Sequence, residues 1–83
     1  MTIMYFAWLR QKIGKSEEKI VLPENVRTVG ELIAHLCAQG GGYADALSNM
    51  TRLRAAVNQE HAALDAKIGP DDEVALFPPV TGG

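Results

Sequence analysis

The chain has 83 residues, a formal net charge of −2 and 47% hydrophobic residues, the balance of one small folded domain rather than a disordered segment. Its Lys and Arg residues are scattered from Arg10 to Lys67, which excludes the concentrated cationic face that nucleic-acid binding requires. Cys37 is the single cysteine, so an internal disulfide is excluded; no metal-ligand spacing is visible, and a reducing, cytoplasmic setting is expected.

Residues 3–9, Ile-Met-Tyr-Phe-Ala-Trp-Leu, are apolar in both alternating sets. The run is too short for a signal core or a membrane span and predicts a strand covered on both faces. Residues 10–14 predict a turn or a short helical connection. Residues 17–22 predict a second strand, ended by Pro23 and paired with the first as an antiparallel hairpin. Thr28 and Glu31 stand at the spacing of a capping box. Val29, Leu32, Ile33, Leu36 and Cys37 follow as one apolar helical stripe, stopped by Gly40-Gly41-Gly42. Residues 43–49 fit either a short second helix or an ordered loop, with Tyr43, Ala46 and Leu47 spaced to reach the core. Residues 53–58 predict a strand that turns at Asn58-Gln59, and a brief extended segment is expected near Ala63-Leu64. Gly69-Pro70-Asp71-Asp72 predicts a turn, and Glu73 to Phe77 the last strand.

This order predicts an α+β fold, a β-grasp or ubiquitin-like roll. It has a mixed sheet of four to five strands, one main helix packed on one face, and the last strand parallel to and beside the first. The domain is expected over 1–78 and a tail over 79–83. One helical stripe covers one sheet face. Either Met4, Phe6 and Trp8, or Ile3, Tyr5, Ala7 and Leu9, are then left partly uncovered, unless residues 43–50 or the N-terminal segment close over them. An uncovered apolar face predicts a protein interface.

No self-contained active site is legible. His35 and His61 are far apart with no third ligand, and Cys37 falls on the apolar stripe as a small core thiol. His61 is expected in a turn. Asp71-Asp72-Glu73 reads as a solvated turn or as a contact for a basic partner. Gly40 to Gly42 follow a helix rather than opening a phosphate-cradling one. What remains is Pro78-Pro79-Val80-Thr81-Gly82-Gly83. The prolines stiffen the exit from the last strand, and residues 79–83 reach roughly 17 Å when extended. Gly82 and Gly83 fit a slot too narrow for any side chain. A terminal carboxylate on Gly83 can attack the α-phosphate of ATP, and the resulting acyl-adenylate can accept sulfur and become a thiocarboxylate. Other proteins must supply the ATP site and its electrostatic stabilisation.

Several segments resemble the small, sulfur-carrying subunit of molybdopterin synthase (the MoaD family). They are Tyr5-Phe6-Ala7 with Leu9-Arg10 and Gly14, Thr28-Val29-Gly30-Glu31-Leu32, Ala55-Ala56-Val57-Asn58-Gln59, and the whole run from Asp72 to Gly83. The Phe-Pro-Pro-Val-Thr-Gly-Gly ending is the specific part. The resemblance implies a chain that is not catalytic alone but is the sulfur-donating subunit of a sulfurtransferase complex. Gly83 would be adenylated by an E1-like activating enzyme using ATP and would carry covalent sulfur received from a sulfur donor protein. The sulfur would pass to cyclic pyranopterin monophosphate in molybdenum cofactor biosynthesis. The implied partner is the large synthase subunit, in a heterotetramer, with Phe77, Pro78, Pro79, Val80 and Thr81 lining the contact and Gly82 the slender neighbour of Gly83. No cofactor or metal bound by this chain, no nucleic acid and no membrane is implied. The alternatives are a carrier for thiazole, cysteine or tRNA thiolation, a ubiquitin-like modifier joined to lysines, or a binding module with an inert tail. Trp8 departs from the family pattern, being bulky where a strand-one side chain would face the partner.

Overall fold

Alternation of burial along the two central strands sets the sheet. The computed structural model describes residues 1–49 and 52–79. Ile3 and Tyr5 of β1 (Thr2–Tyr5) and Val74 and Leu76 of β5 (Glu73–Phe77) share one face, none more than 1% exposed. β1 and β5 pair in parallel, with Ile3 opposite Val74 and Tyr5 opposite Leu76. β2 (Glu17–Lys19) pairs antiparallel with β1. On the other side β3 (Arg54–Val57) pairs antiparallel with β5, and β4 (Glu60–Ala62) with β3. The order β2-β1-β5-β3-β4 is the mixed, β-grasp arrangement expected, with the last strand beside the first.

Among the described residues three α-helices pack on the buried face. α1 is Trp8–Ile13, α2 is Val29–Cys37 and α3 is Gly41–Leu47. α2 is the stripe helix: Val29, Leu32, Ile33 and Leu36 are all fully buried. Thr28 caps it by accepting from the Glu31 N–H at 3.2 Å, and the Glu31 carboxylate reaches back to the Arg27 N–H at 2.9 Å. α3 settles the choice over residues 43–49 in favour of a helix and adds Ala46 and Leu47 to the core.

Three segments differ from expectation. The apolar run Ile3–Leu9 is not one strand: β1 stops at Tyr5, Ala7 takes a positive φ of 57°, and α1 begins at Trp8. An all-apolar run carries no period, and here Leu9 is fully buried and Ile13, one turn on, packs on the same core. β2 ends at Lys19 rather than at residue 22, although the Ile20 N–H still bonds the Met1 carbonyl at 3.0 Å. The extended segment near Ala63-Leu64 is instead β4, begun three residues earlier. Asn58 and Gln59 both hold positive φ (50° and 71°), a two-residue turn that leaves no slack.

The glycine run has two jobs. Gly40, at φ 77°, turns the chain directly from α2 into α3. Gly42 lets α3 touch α1, because a Cβ there would overlap the Lys12 carbonyl oxygen and come within 3.1 Å of the Ile13 Cα. Both are backbone atoms and cannot rotate away. Gly42→Ala is expected to cost about 1–3 kcal/mol by overpacking. That corresponds to a melting temperature lower by about 4–8 °C per kcal/mol, and an unchanged melting curve would contradict this packing.

A polar cluster ties the hairpin to α3. The Tyr5 hydroxyl donates to Glu18 Oε2 at 2.6 Å, the Tyr43 hydroxyl donates to the same oxygen, and Lys15 Nζ lies 3.5 Å from Glu18 Oε1. Burial, reinforced by Glu18, pushes the Tyr5 hydroxyl far above the usual tyrosine range. Partial burial opposes ionisation of Glu18, but the two tyrosine hydroxyls and Lys15 outweigh it and hold the carboxyl below its ordinary value. Tyr5 therefore contributes stability that is complete below the unfolded tyrosine value near 10 and is lost as pH rises beyond it. Glu18 contributes stability present above the unfolded glutamate value near 4.3 and lost as pH falls below it. Urea unfolding against pH is expected to show both limbs. Tyr5→Phe should shrink the alkaline limb, and an alkaline limb of unchanged size would overturn the assignment.

Candidate functional site

The helices leave the other sheet face open. Cross-strand register places Met4, Ala75, Ala56 and His61 in one row across it, with Phe77 opposite Arg54 in the next. Met4, Ala75, Ala56 and Phe77 are only half-buried. The Phe77 ring meets His61 edge-on, with centroids 5.8 Å apart and planes at 75°. Beside it the Phe6 N–H continues the central ladder by donating to the Leu76 carbonyl at 3.1 Å. Phe6 and Trp8 are 41% and 43% exposed. Of the two sets weighed for the first strand, Met4, Phe6 and Trp8 are the less covered one, with Trp8 at the start of α1 rather than on the strand; of the other set Ile3, Tyr5 and Leu9 are in the core and Ala7 is exposed.

β5 leads out of the sheet at this same end. Pro78 and Pro79 are half-buried, and they line a groove of about 310 Å³ together with Trp8, Ala46, Arg52 and Leu53. Pro78 and Pro79, expected as partner contacts, are therefore brought together with Trp8 beside the C-terminal end of α3, while Phe77, also expected there, meets His61 on the open face. Val80, Thr81, Gly82 and Gly83 lie outside the described residues.

Ala7 stands between the two exposed aromatics. Its φ of 57° and ψ of −138° fall in a region that residues with a Cβ avoid, at a cost of order 1–3 kcal/mol. Both flanks hold it there. The Phe6 N–H is bonded into the ladder, and the fully buried Leu9 anchors α1.

The acidic run is at the other end of the sheet. The Asp72 carbonyl accepts from the Thr2 N–H at 3.2 Å, at the start of β1 and β5. The Asp72 carboxylate takes the Asn58 side-chain amide at 3.0 Å and the Gly69 N–H at 2.8 Å, which hold it below the usual carboxylate range. It braces the turn and does not flank the exit. Cys37 is half-buried against the core. His61 is in β4, not in a turn, and with Arg52, Arg54 and Ala7 it was missed as part of the exit surface. The two residues of the Asn58-Gln59 turn fix the register that carries His61 to Phe77. Among the described residues no group of three His, Cys, Asp or Glu side chains could hold a metal. None of their helices is long and apolar enough to cross a membrane.

The sheet order and the exit of its last strand beside an open apolar face define a ubiquitin-like β-grasp protein. The chain is similar to SAMP1 from Haloferax volcanii, with a TM-score of 0.74 and 29% identity, covering 100% of this chain and 98% of that one. The chain belongs to the ThiS family, which matches residues 3–83. It is 38% identical to the molybdopterin synthase sulfur carrier subunit of Escherichia coli (strain K12) over 98% of this chain and 96% of that one. It is 35% identical to the subunit of the same name from Haemophilus influenzae, over 100% and 99%. The resemblance to the sulfur-carrying subunits of molybdopterin synthase thus holds along the whole length.

Proposed function

We propose that this chain is the sulfur carrier of a molybdopterin synthase, with the carboxylate of Gly83 as its reacting group. The observation that supports this best is the placement of Pro78 and Pro79. The parallel pair β1–β5 ends beside the exposed Phe6 and Trp8, and Pro78 and Pro79 follow it there. A partner seated on Phe77, Phe6 and Trp8 would receive residues 80–83 directly, and four extended residues reach roughly 13 Å beyond Pro79. The names of the full-length relatives favour this reading over a carrier for another pathway.

The chemistry proceeds in balanced steps. A Gly83 carboxylate oxygen attacks the α-phosphate of ATP on an E1-like activating enzyme, and pyrophosphate leaves. A sulfide equivalent from a sulfur donor protein attacks the acyl carbon, and AMP leaves, giving the thiocarboxylate. Sulfur is a better nucleophile than the carboxylate oxygen it replaces. In the heterotetramer with the large subunit, the thiocarboxylate sulfur bonds a side-chain carbon of cyclic pyranopterin monophosphate as a C–O bond there breaks and its oxygen leaves, and water then cleaves the acyl–sulfur bond, leaving sulfur on the pterin and returning the carboxylate. Two carriers supply the two dithiolene sulfurs in turn. This chain folds, docks and positions the group, while the ATP site and the pterin site belong to the partners.

Incubation with ATP, the activating enzyme and a sulfur source is expected to exchange one oxygen of Gly83 for sulfur, read by intact-mass spectrometry. The product, mixed with the large subunit and the pyranopterin precursor, is expected to yield dithiolene. An unchanged mass, or isopeptide conjugates on lysines in place of the exchange, would overturn the reading in favour of a modifier or an inert tail.

A further inference from the structure

We propose that Ala7 is a positioning residue for docking: its left-handed backbone presets Phe6 and Trp8 as two rigid aromatic contacts beside the exit of the last strand. The inference rests on the carrier reading above, since it concerns how that same surface meets the large subunit.

Three observations carry it. The first is the conformation itself, φ 57° and ψ −138°, at a residue that is neither glycine nor asparagine. A strained residue persists where its surroundings over-determine it, and such residues concentrate at binding surfaces. The second is the double anchorage. On one side the Phe6 N–H bonds the Leu76 carbonyl at 3.1 Å, and on the other the Arg10 N–H bonds the Ala7 carbonyl at 3.2 Å while Leu9 is fully buried. Ala7 is the joint between the central ladder and α1, and its dihedral angles set how Phe6 and Trp8 diverge. The third is what the joint displays. Phe6 and Trp8 are two of the four large hydrophobic side chains exposed among the described residues, and they bracket Ala7 directly. Trp8 lines the groove with Pro78 and Pro79, so the indole stands beside the two residues that follow the last strand.

Ala7 is itself exposed and adds no buried side chain. A glycine would make the same turn more easily but would leave the joint free to move, so that docking would have to immobilise two aromatic groups. Preorganisation removes that cost before the partner arrives.

The test separates strain from rigidity. Ala7→Gly is expected to raise the melting temperature by a few degrees, because it relieves the backbone. The same change is expected to weaken binding to the large molybdopterin synthase subunit by about three- to tenfold, the price of ordering Phe6 and Trp8 on association. A D-alanine at position 7 favours positive φ while staying stiff. It can be introduced by native chemical ligation at Cys37, and it is expected to raise the melting temperature and keep wild-type affinity. A structural role alone would move stability without moving affinity. Equal affinity of the glycine variant and the wild type would therefore sink the proposal, as would a D-alanine chain that binds as weakly as the glycine one. If wild-type chain fails to bind the large subunit at all, the carrier reading fails first, and the melting data still report the strain separately.

Discussion

Deletion of Gly83 is expected to abolish sulfur transfer while leaving the melting temperature unchanged. Among the described residues the buried core is built from residues between Ile3 and Leu76, so the fold is expected to form without the last one. The chemistry should be far less tolerant. Without Gly83 the terminal carboxylate would move to Gly82, shorter by one residue, or about 3.3–3.6 Å of extended chain. A misplacement of about 1 Å at a reacting centre can cost a hundredfold, and a whole residue puts the group out of reach of its acceptor. Intact mass after incubation with ATP and the activating enzyme, followed by the dithiolene assay, reads the result. A truncated chain that still supports dithiolene formation would remove Gly83 from the mechanism. A truncated chain that unfolds would show that the last residue belongs to the domain.

The parts of the fold that were legible in the sequence are those with a period or a punctuation mark. α2 showed itself through Thr28, Glu31 and a stripe at helical spacing, and β5 through five residues between a Gly-Pro-Asp-Asp turn and two prolines. The run Ile3–Leu9 had neither. Leu9 shares parity with Ile3 and Tyr5, so it is buried whether the run is read as a strand or as a strand followed by a helix, and only the φ of Ala7 tells the two apart. The glycine run was legible as a stop but not as a start, because the need for Gly42 comes from the backbone of α1 crossing it, a tertiary contact. The site divides in the same way. Gly82 and Gly83 lie outside the described residues, and their proposed role was read from their chemistry, which depends on no fold. His61 and Arg54 reach the exit surface through strand register, and a small error in where β4 begins sends His61 elsewhere.

Phe77→Ala should show whether the open face is the docking face. Phe77 is only half-buried, and its ring contact is with His61 on the open side, so truncation is expected to cost about 1–2 kcal/mol of stability, less than for a fully buried phenylalanine. The effect on docking should be larger in proportion. Aromatic side chains near the centre of an interface commonly contribute about 2 kcal/mol or more, so binding to the large subunit is expected to weaken about thirtyfold. Arg54 lies opposite Phe77 at the strand end and donates from Nη1 to the Leu53 carbonyl at 2.9 Å, which suits a rim position. Arg54→Ala is then expected to change association rate and salt dependence by a few-fold rather than affinity by tens. Titration calorimetry of the two variants against wild type at two salt concentrations separates the cases. Equal losses from both would place the interface centre away from Phe77. A Phe77→Ala chain that binds as tightly as wild type would mean that the partner meets the helical side, leaving the half-buried row from Met4 to His61 without a role in docking. The predicted asymmetry follows from geometry: Phe77 is the last side chain of the central strand, so a partner seated on the open face and reaching toward Pro78 and Pro79 meets it, while Arg54 stands one strand further out.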